Sequence, residues 1–220
     1  MSDREKERSR RAVELPRNPT PLARQARDTF EVVAKPAMVD FDQADWDRLA
    51  SQRVEFNRDV QVESVLTMLA ASESEPSFGY QINNYQHCLQ AATMTYLDGL
   101  DEEDVVVALL HDVGFVVCPE RHGVFAAELM GGYVSERNYW MLRHHQSFLD
   151  THGGSHSDGA VDRQASDRWR GHEHYEWTKE FVYRYDQGAI NPRYENAPLE
   201  FFRPMVQRIF ARPAQPLTLD

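Results

Sequence analysis

The stretch Asp101-Glu-Glu-Asp-Val-Val-Val-Ala-Leu-Leu-His-Asp-Val-Gly114 decides how the rest of the chain is read. Val105 to Leu110 is apolar on every side, a pattern shared by buried strands and buried helices. The acidic first turn of Glu102, Glu103 and Asp104, the capping Asp101 and a length of about 12 residues select a helix. It is the central, fully buried helix. His111 and Asp112 end it just before Gly114. An imidazole and a carboxylate buried without partners cost several kcal/mol, so this doublet requires partners.

Working outward, a helix is expected from about Asn84 to a Gly99 terminus, with others near Gly123 to Met130, Ser135 to Phe148, Glu173 to Gln187 and Pro198 to Phe210. Upstream, Asp45 to Leu49 is a short helical region. Val60 to Ala71 is a firmer helix, with Val62, Val65, Leu66 and Leu69 at helical spacing. Ser72 to Asn83 reads as a loop. The expected organisation is a mobile tail over 1–28, N-terminal helices over 29–78 packing on the core, a helical domain with a C-terminal extension over 79–210, and a tail over 211–220. Asp150 to Ala160, with Gly153, Gly154, Gly159, His152 and His156, is expected to be an exposed loop and a possible lid.

Composition bounds the function. The 220 residues suit one moderate domain with tails, and 41% hydrophobic residues argue against global disorder. A net charge of -11 argues against binding nucleic acid or anionic membrane as the main role. Two cysteines, Cys88 and Cys118, no apolar leader and no membrane-length apolar run give the expectation of a reduced, cytoplasmic protein. Its partner is expected to be a small-molecule substrate. The oligomeric state is open.

Several histidines converge. His87 shares a helical face with Ala91 and Met94, and His122 with Phe125, Ala126 and Leu129. Met141, His144, His145 and Phe148 form one stripe holding two imidazoles. Asp186 lies at the edge of the stripe made by Thr178, Phe181, Val182 and Tyr185. A lone inward histidine is more often a satisfied core residue than a ligand. Five helices each offering an inward His or Asp make a metal site the better reading, with His87, His111, Asp112, His122, His144 and Asp186 as ligands. Nitrogen and oxygen donors without thiolate suit iron, manganese, zinc or nickel, and a carboxylate can bridge two ions. His145 is either an alternative ligand to His144 or a proton carrier.

The order His, His-Asp, His, His, Asp resembles the HD-domain superfamily. Tyr85-Gln-His-Cys-Leu-Gln-Ala-Ala-Thr93 and the Asp101 to Gly114 stretch carry the resemblance, which covers about residues 79 to 187. It implies an all-α HD-domain helical bundle, here preceded by a disordered N-terminal tail. His122 and His144 make the chain similar to the two-metal subset, nearest to the mixed-valent diiron oxygenases that cleave hydroxylated aminophosphonates and, more distantly, to myo-inositol oxygenase. The approach Gly79-x-x-Ile82-Asn83 is also similar.

That resemblance implies two iron ions. His87, His111, Asp112 and Asp186 would hold one, and Asp112, His122 and His144 the other, with Asp112 bridging. Manganese or another divalent metal is the alternative. Two departures stand out. Tyr80 occupies the position of a Glu in the phosphonate enzymes, and Phe148 that of a Lys suited to a phosphonate group.

The expected activity is a diiron oxygenase using O2 on a small hydroxylated substrate. A metal-dependent phosphohydrolase acting on a nucleotide or phosphate ester is the alternative, and a metal-stabilised or ligand-sensing protein without turnover is a third class. A phosphohydrolase would need basic groups near the metals, and Arg121, Arg137, Arg143 and Lys179 are the available ones. Tyr80, Lys179 and His145 are the catalytic candidates, with Asn83 and His172 as substrate-binding candidates. Tyr80 either gates the site or packs.

Overall fold

The computed structural model describes residues 27–149 and 165–215. The expected loop with His152 and His156, and most of the expected N-terminal tail, lie outside these residues. Among the described residues the structure is all-α, built of seven α-helices joined by short 3-10 turns and one π turn. Among the described residues no helix is long and apolar enough to cross a membrane. The described chain divides into two compact units, the first ending at Phe56 and the second beginning at Asn57.

Helix α1 (Gln43–Ala71) replaces the two separate upstream helices expected from the periodicity. No Gly or Pro interrupts it, and polar helix formers such as Gln52 and Glu55 carry it between its apolar stretches. In the first unit, Lys35 pairs with Asp42 and Asp45. The rings of Phe41 and Trp46 meet at 5.2 Å there.

The second unit holds Val65, Leu66 and Leu69 of α1 in its core, so the Val60 to Ala71 segment packs as its periodicity predicts. Helices α2 (Asn84–Leu97) and α3 (Glu102–Leu110) pack against each other, as do α4 (His122–Met130) and α5 (Glu136–Leu149). Helix α6 (Tyr175–Phe181) lies on α5, and α7 (Leu199–Phe210) lies on α3.

Helix α3 is the core of this unit. Every residue from Asp104 to Leu110 is buried. Each Val or Leu removed from water in this way contributes on the order of 1.5–3 kcal/mol. Its start is fixed by the Asp101 carboxylate, which accepts the Asp104 N–H at 2.9 Å. The acids of its first turn are then occupied: Glu102 by Arg208, Glu103 by Arg212, and Asp104 by Asn138 and Arg137. Gly99 (φ +76°) supplies the left-handed residue that ends α2 and lets the chain turn into α3.

Candidate metal centre

Four histidines are locked in the same tautomer by the backbone. A carbonyl can only accept, so the Nδ1–H of His87 donates to Ala189 O at 3.1 Å. His111, His122 and His145 donate in the same way to Ala108 O, Pro119 O and Leu142 O, each at 2.8 Å. In the neutral rings, every Nε2 is left with a free lone pair. These lone pairs face one another, with His87 Nε2 at 3.1 Å from His111 Nε2 and His122 Nε2 at 3.1 Å from His145 Nε2.

Two lone pairs at that distance repel unless a proton or a metal ion stands between them. Two nitrogens each about 2.1 Å from one ion, at right angles, are about 3 Å apart, so the spacing fits donors that share a metal. The carbonyl that holds each Nδ1–H also orients the ring and raises the basicity of its Nε2.

Asp112 completes both pairs. Its Oδ2 lies 3.6 Å from His87 Nε2. Its Oδ1 lies 3.0 Å from His122 Nε2 and 3.4 Å from His145 Nε2. Two groups with metal-binding spacing therefore share one carboxylate: His87, His111 and Asp112, and Asp112, His122 and His145. Asp186 joins the first, its Oδ1 standing 3.5 Å from His87 Nε2 and 3.7 Å from His111 Nε2.

Asp112 Oδ1 and Asp186 Oδ2 are buried, yet neither has a hydrogen bond of acceptable geometry. Orphaned buried carboxylate oxygens call for a cation.

The local electrostatics show the same demand. Burial opposes charge on His111, but the adjacent Asp112 and Asp186 outweigh it and raise the imidazole to about 9. His122 is also raised, burial being overcome by its contact with Asp112. His87 is lowered, by burial and then by the neighbouring His111. Burial works to raise Asp112 and Asp186, but the surrounding imidazoles hold both carboxyls below their usual range. The centre is thus built to hold two carboxylates ionised beside positive charge.

The backbone places these groups by specific devices. Asp186 ends a π turn, Val182–Asp186, closed by Gln187 N donating to Val182 O at 2.8 Å. The wider turn carries Asp186 from the edge of its stripe into the centre. Gly123 allows α4 and α5 to meet: a β-carbon there would lie 2.6 Å from Leu142 O and 2.7 Å from His145 Cε1. Gln146 accepts the Gly123 N–H at 3.1 Å. Asn84 donates to Asp112 O at 3.0 Å and ties α2 to the end of α3.

One ligand expectation is corrected. His145, not His144, enters the centre. His144 turns away, its Nδ1–H donating to Trp140 O and its ring stacked on Trp140 at 4.2 Å between centroids. Adjacent helical residues point about 100° apart, so only one of the two can face the centre. The other five expected ligands are brought together.

A cavity of about 470 Å³ opens onto the centre, lined in part by His87, Asp112, His122 and Asp186. Tyr80 and Asn83 also line it, Tyr80 largely exposed at the rim. Asn83 is the cap of α2, its side chain accepting from Gln86 N and donating to Glu73 O. The remaining candidates fall elsewhere. Lys179 is exposed on α6, and His172 is exposed and stacks on Trp140 at 4.3 Å, so neither reaches the cavity wall. Arg137 and Arg143 are engaged by Asp104 and Glu128, and Arg121 is exposed.

Sequence reasoning missed Glu75, Phe78 and Phe115, which also line the cavity. They lie in irregular segments without periodicity. No family model matches the chain, and no curated protein matches its sequence.

Proposed function

We propose that this chain is an HD-type two-metal enzyme, a non-haem diiron oxygenase that acts on a small hydroxylated substrate with O2. The observation that carries this reading is the sharing of Asp112 between two histidine groups whose Nε2 atoms converge on it. On this reading His87, His111, Asp112 and Asp186 hold one ion and Asp112, His122 and His145 hold the other. The donor set, all nitrogen and oxygen, suits iron and leaves a carboxylate to join two ions. Bound there, a redox-active iron pair would supply the electrons that dioxygen activation requires.

The chain's own residues prepare the site. Backbone carbonyls fix the four imidazoles before any metal arrives, so little reorganisation is needed. Phe115 packs beside His122, ring centroids 5.3 Å apart, and gives the cavity an apolar wall next to the centre. No Lys or Arg among the described residues lines the cavity. A phosphohydrolase generally uses such groups to neutralise its substrate, and their absence from this wall favours oxygenation.

The test is metal analysis of protein purified without added metal, followed by electron paramagnetic resonance after partial oxidation and by oxygen uptake with small diols and amino alcohols. The proposal expects about two irons per chain, a coupled mixed-valence signal and substrate-dependent oxygen consumption. Manganese, cobalt or nickel without that signal, together with turnover of phosphate esters, would replace it with the hydrolase.

A further inference from the structure

The four imidazoles of the centre are held by different means. His111, His122 and His145 each give the Nδ1–H to the carbonyl three residues earlier, so one local turn fixes the ring. His87 gives its own to Ala189 O, 102 residues away in sequence. Its orientation therefore depends on what holds residues 189–197, which form no helix.

Helix α2 holds them. Gln86, Gln90 and Thr93 stand at i, i+4 and i+7, on one face of that helix. Gln86 Oε1 accepts from Asn196 Nδ2 at 3.1 Å, and Thr93 Oγ1 accepts the Ala197 N–H at 3.0 Å. Gln90 grips the end nearest the centre: its Nε2 donates to Asn191 O at 3.0 Å, and its Oε1 accepts the Asn191 N–H at 2.8 Å. Both backbone polar groups of Asn191 are thus taken, two residues beyond the carbonyl that His87 uses. On the other side, Ala189 N donates to Asp186 O at 3.0 Å, so this short segment links two candidate ligands of one ion.

Gln90 is 1% exposed, between Leu89 and Ala91 of the apolar core. A buried amide is costly unless it is paired, and an apolar side chain would fill the position without that cost. What the amide adds is a fixed Asn191.

We propose that Gln90 is a positioning residue for the ion assigned to His87, His111, Asp112 and Asp186: by pinning Asn191 it keeps Ala189 O on His87 Nδ1–H, and so keeps His87 Nε2 turned to the centre. The consequence for metal rests on the two-metal reading. The hold on the His87 ring stands apart from it.

The test reads the ring and the metal separately. Gln90→Met keeps the length and helix propensity of the side chain and removes both hydrogen bonds. Nitrogen-15 spectra of metal-free protein, taken where the His87 ring is neutral, report which of its nitrogens carries the proton. The native chain is expected to hold the Nδ1–H form, and Q90M a mixture of tautomers, with His122 and His145 unchanged. Zinc is then titrated against a chelator in two backgrounds, His145→Ala, which keeps the first ion, and His87→Ala, which keeps the second. Adding Q90M should weaken zinc roughly 10- to 100-fold in the first background and leave it unchanged in the second.

A His87 ring that keeps its Nδ1–H form in Q90M, or zinc weakened equally in both backgrounds, would overturn the proposal. Failure of the native chain to bind zinc would count against the two-metal reading, and the His87 spectrum would still decide the role of Gln90. Hydrogen exchange in the native chain needs no variant to fold. The Asn191 N–H and His87 Nδ1–H, each corrected for its intrinsic rate, should share one opening constant. A His87 proton that exchanges independently of Asn191 would also overturn the proposal.

Discussion

Replacing Gly123 by Ala tests whether the helix contact that holds His145 also holds a metal. The new β-carbon would stand 2.6 Å from Leu142 O, 2.7 Å from His145 Cε1 and 2.9 Å from His145 Nδ1. Ordinary contact begins at 3.4 Å, so about 0.8 Å must open between α4 and α5. The atoms that must yield are a backbone carbonyl and the ring hydrogen-bonded to it at 2.8 Å.

Overpacking of this kind costs about 1–3 kcal/mol, and the better helix propensity of Ala returns up to ~1 kcal/mol. The net loss, on the order of 1–2 kcal/mol, lowers Tm by roughly 2–8 °C in a unit of this size. The effect on metal is larger. Displacing the ring that presents Nε2 to Asp112 should weaken the second ion about 10- to 100-fold, the usual cost of disturbing a ligand's support. Calorimetry and elemental analysis on the same preparation should therefore find a folded protein with one ion retained and the second lost at limiting metal. Gly132→Ala is the control, since its β-carbon would meet nothing closer than 3.4 Å. G123A that keeps two ions at unchanged affinity would refute the reasoning.

Three further predictions follow from the same geometry. His145→Ala should cost one of two ions and His144→Ala neither, as read by elemental analysis; the reverse pattern would restore His144 as the ligand. His111, raised to about 9 in the metal-free centre, contributes stability that is complete below its unfolded value of 6.5 and is lost as pH rises through about 9. Thermal melts of metal-free protein should show that loss between these limits. Metal-loaded protein should not show it, and loading near pH 7.5 should release a proton into weakly buffered indicator solution. Asp101→Ala removes the cap of α3 and should cost about 1 kcal/mol, seen as a small drop in Tm with metal content unchanged.

Much of this arrangement is written in local sequence. The Val105 to Leu110 run can only be a buried element, and Asp101 with three following acids makes it a helix. The doublet at its end has no way to be buried alone, which is why His111 and Asp112 were readable as a site before any partner was known. His87 and His122 were legible for the same reason, since each sits on an apolar helical face.

What escaped depends on information that periodicity does not hold. His144 and His145 share one stripe, and the choice between them turns on Trp140, one turn earlier, whose ring holds His144 away from the centre. That i, i+4 aromatic pair was a usable signal. Asp186 looked marginal because a regular helix places it at the edge of its stripe, and the π turn that rotates it inward has no sequence signature. The wall from Glu75 to Tyr80 is a loop held by turn hydrogen bonds, such as Tyr80 N to Ser77 O at 3.0 Å, so its residues could be ordered only by tertiary structure. Lys179 reads as an inward candidate two turns before Asp186, but it falls on the exposed side of α6, and His172, read as flanking a helix start, lies before the first turn of α6 and stacks on Trp140.

The central claim is that Asp112 joins two metal ions. Diffraction from metal-loaded crystals, with data collected on both sides of the iron absorption edge, tests it most directly. The account predicts two anomalous peaks flanking the Asp112 carboxylate, one beside His87, His111 and Asp186 and the other beside His122 and His145. A single peak, or a second peak whose nearest imidazole is His144, would contradict it.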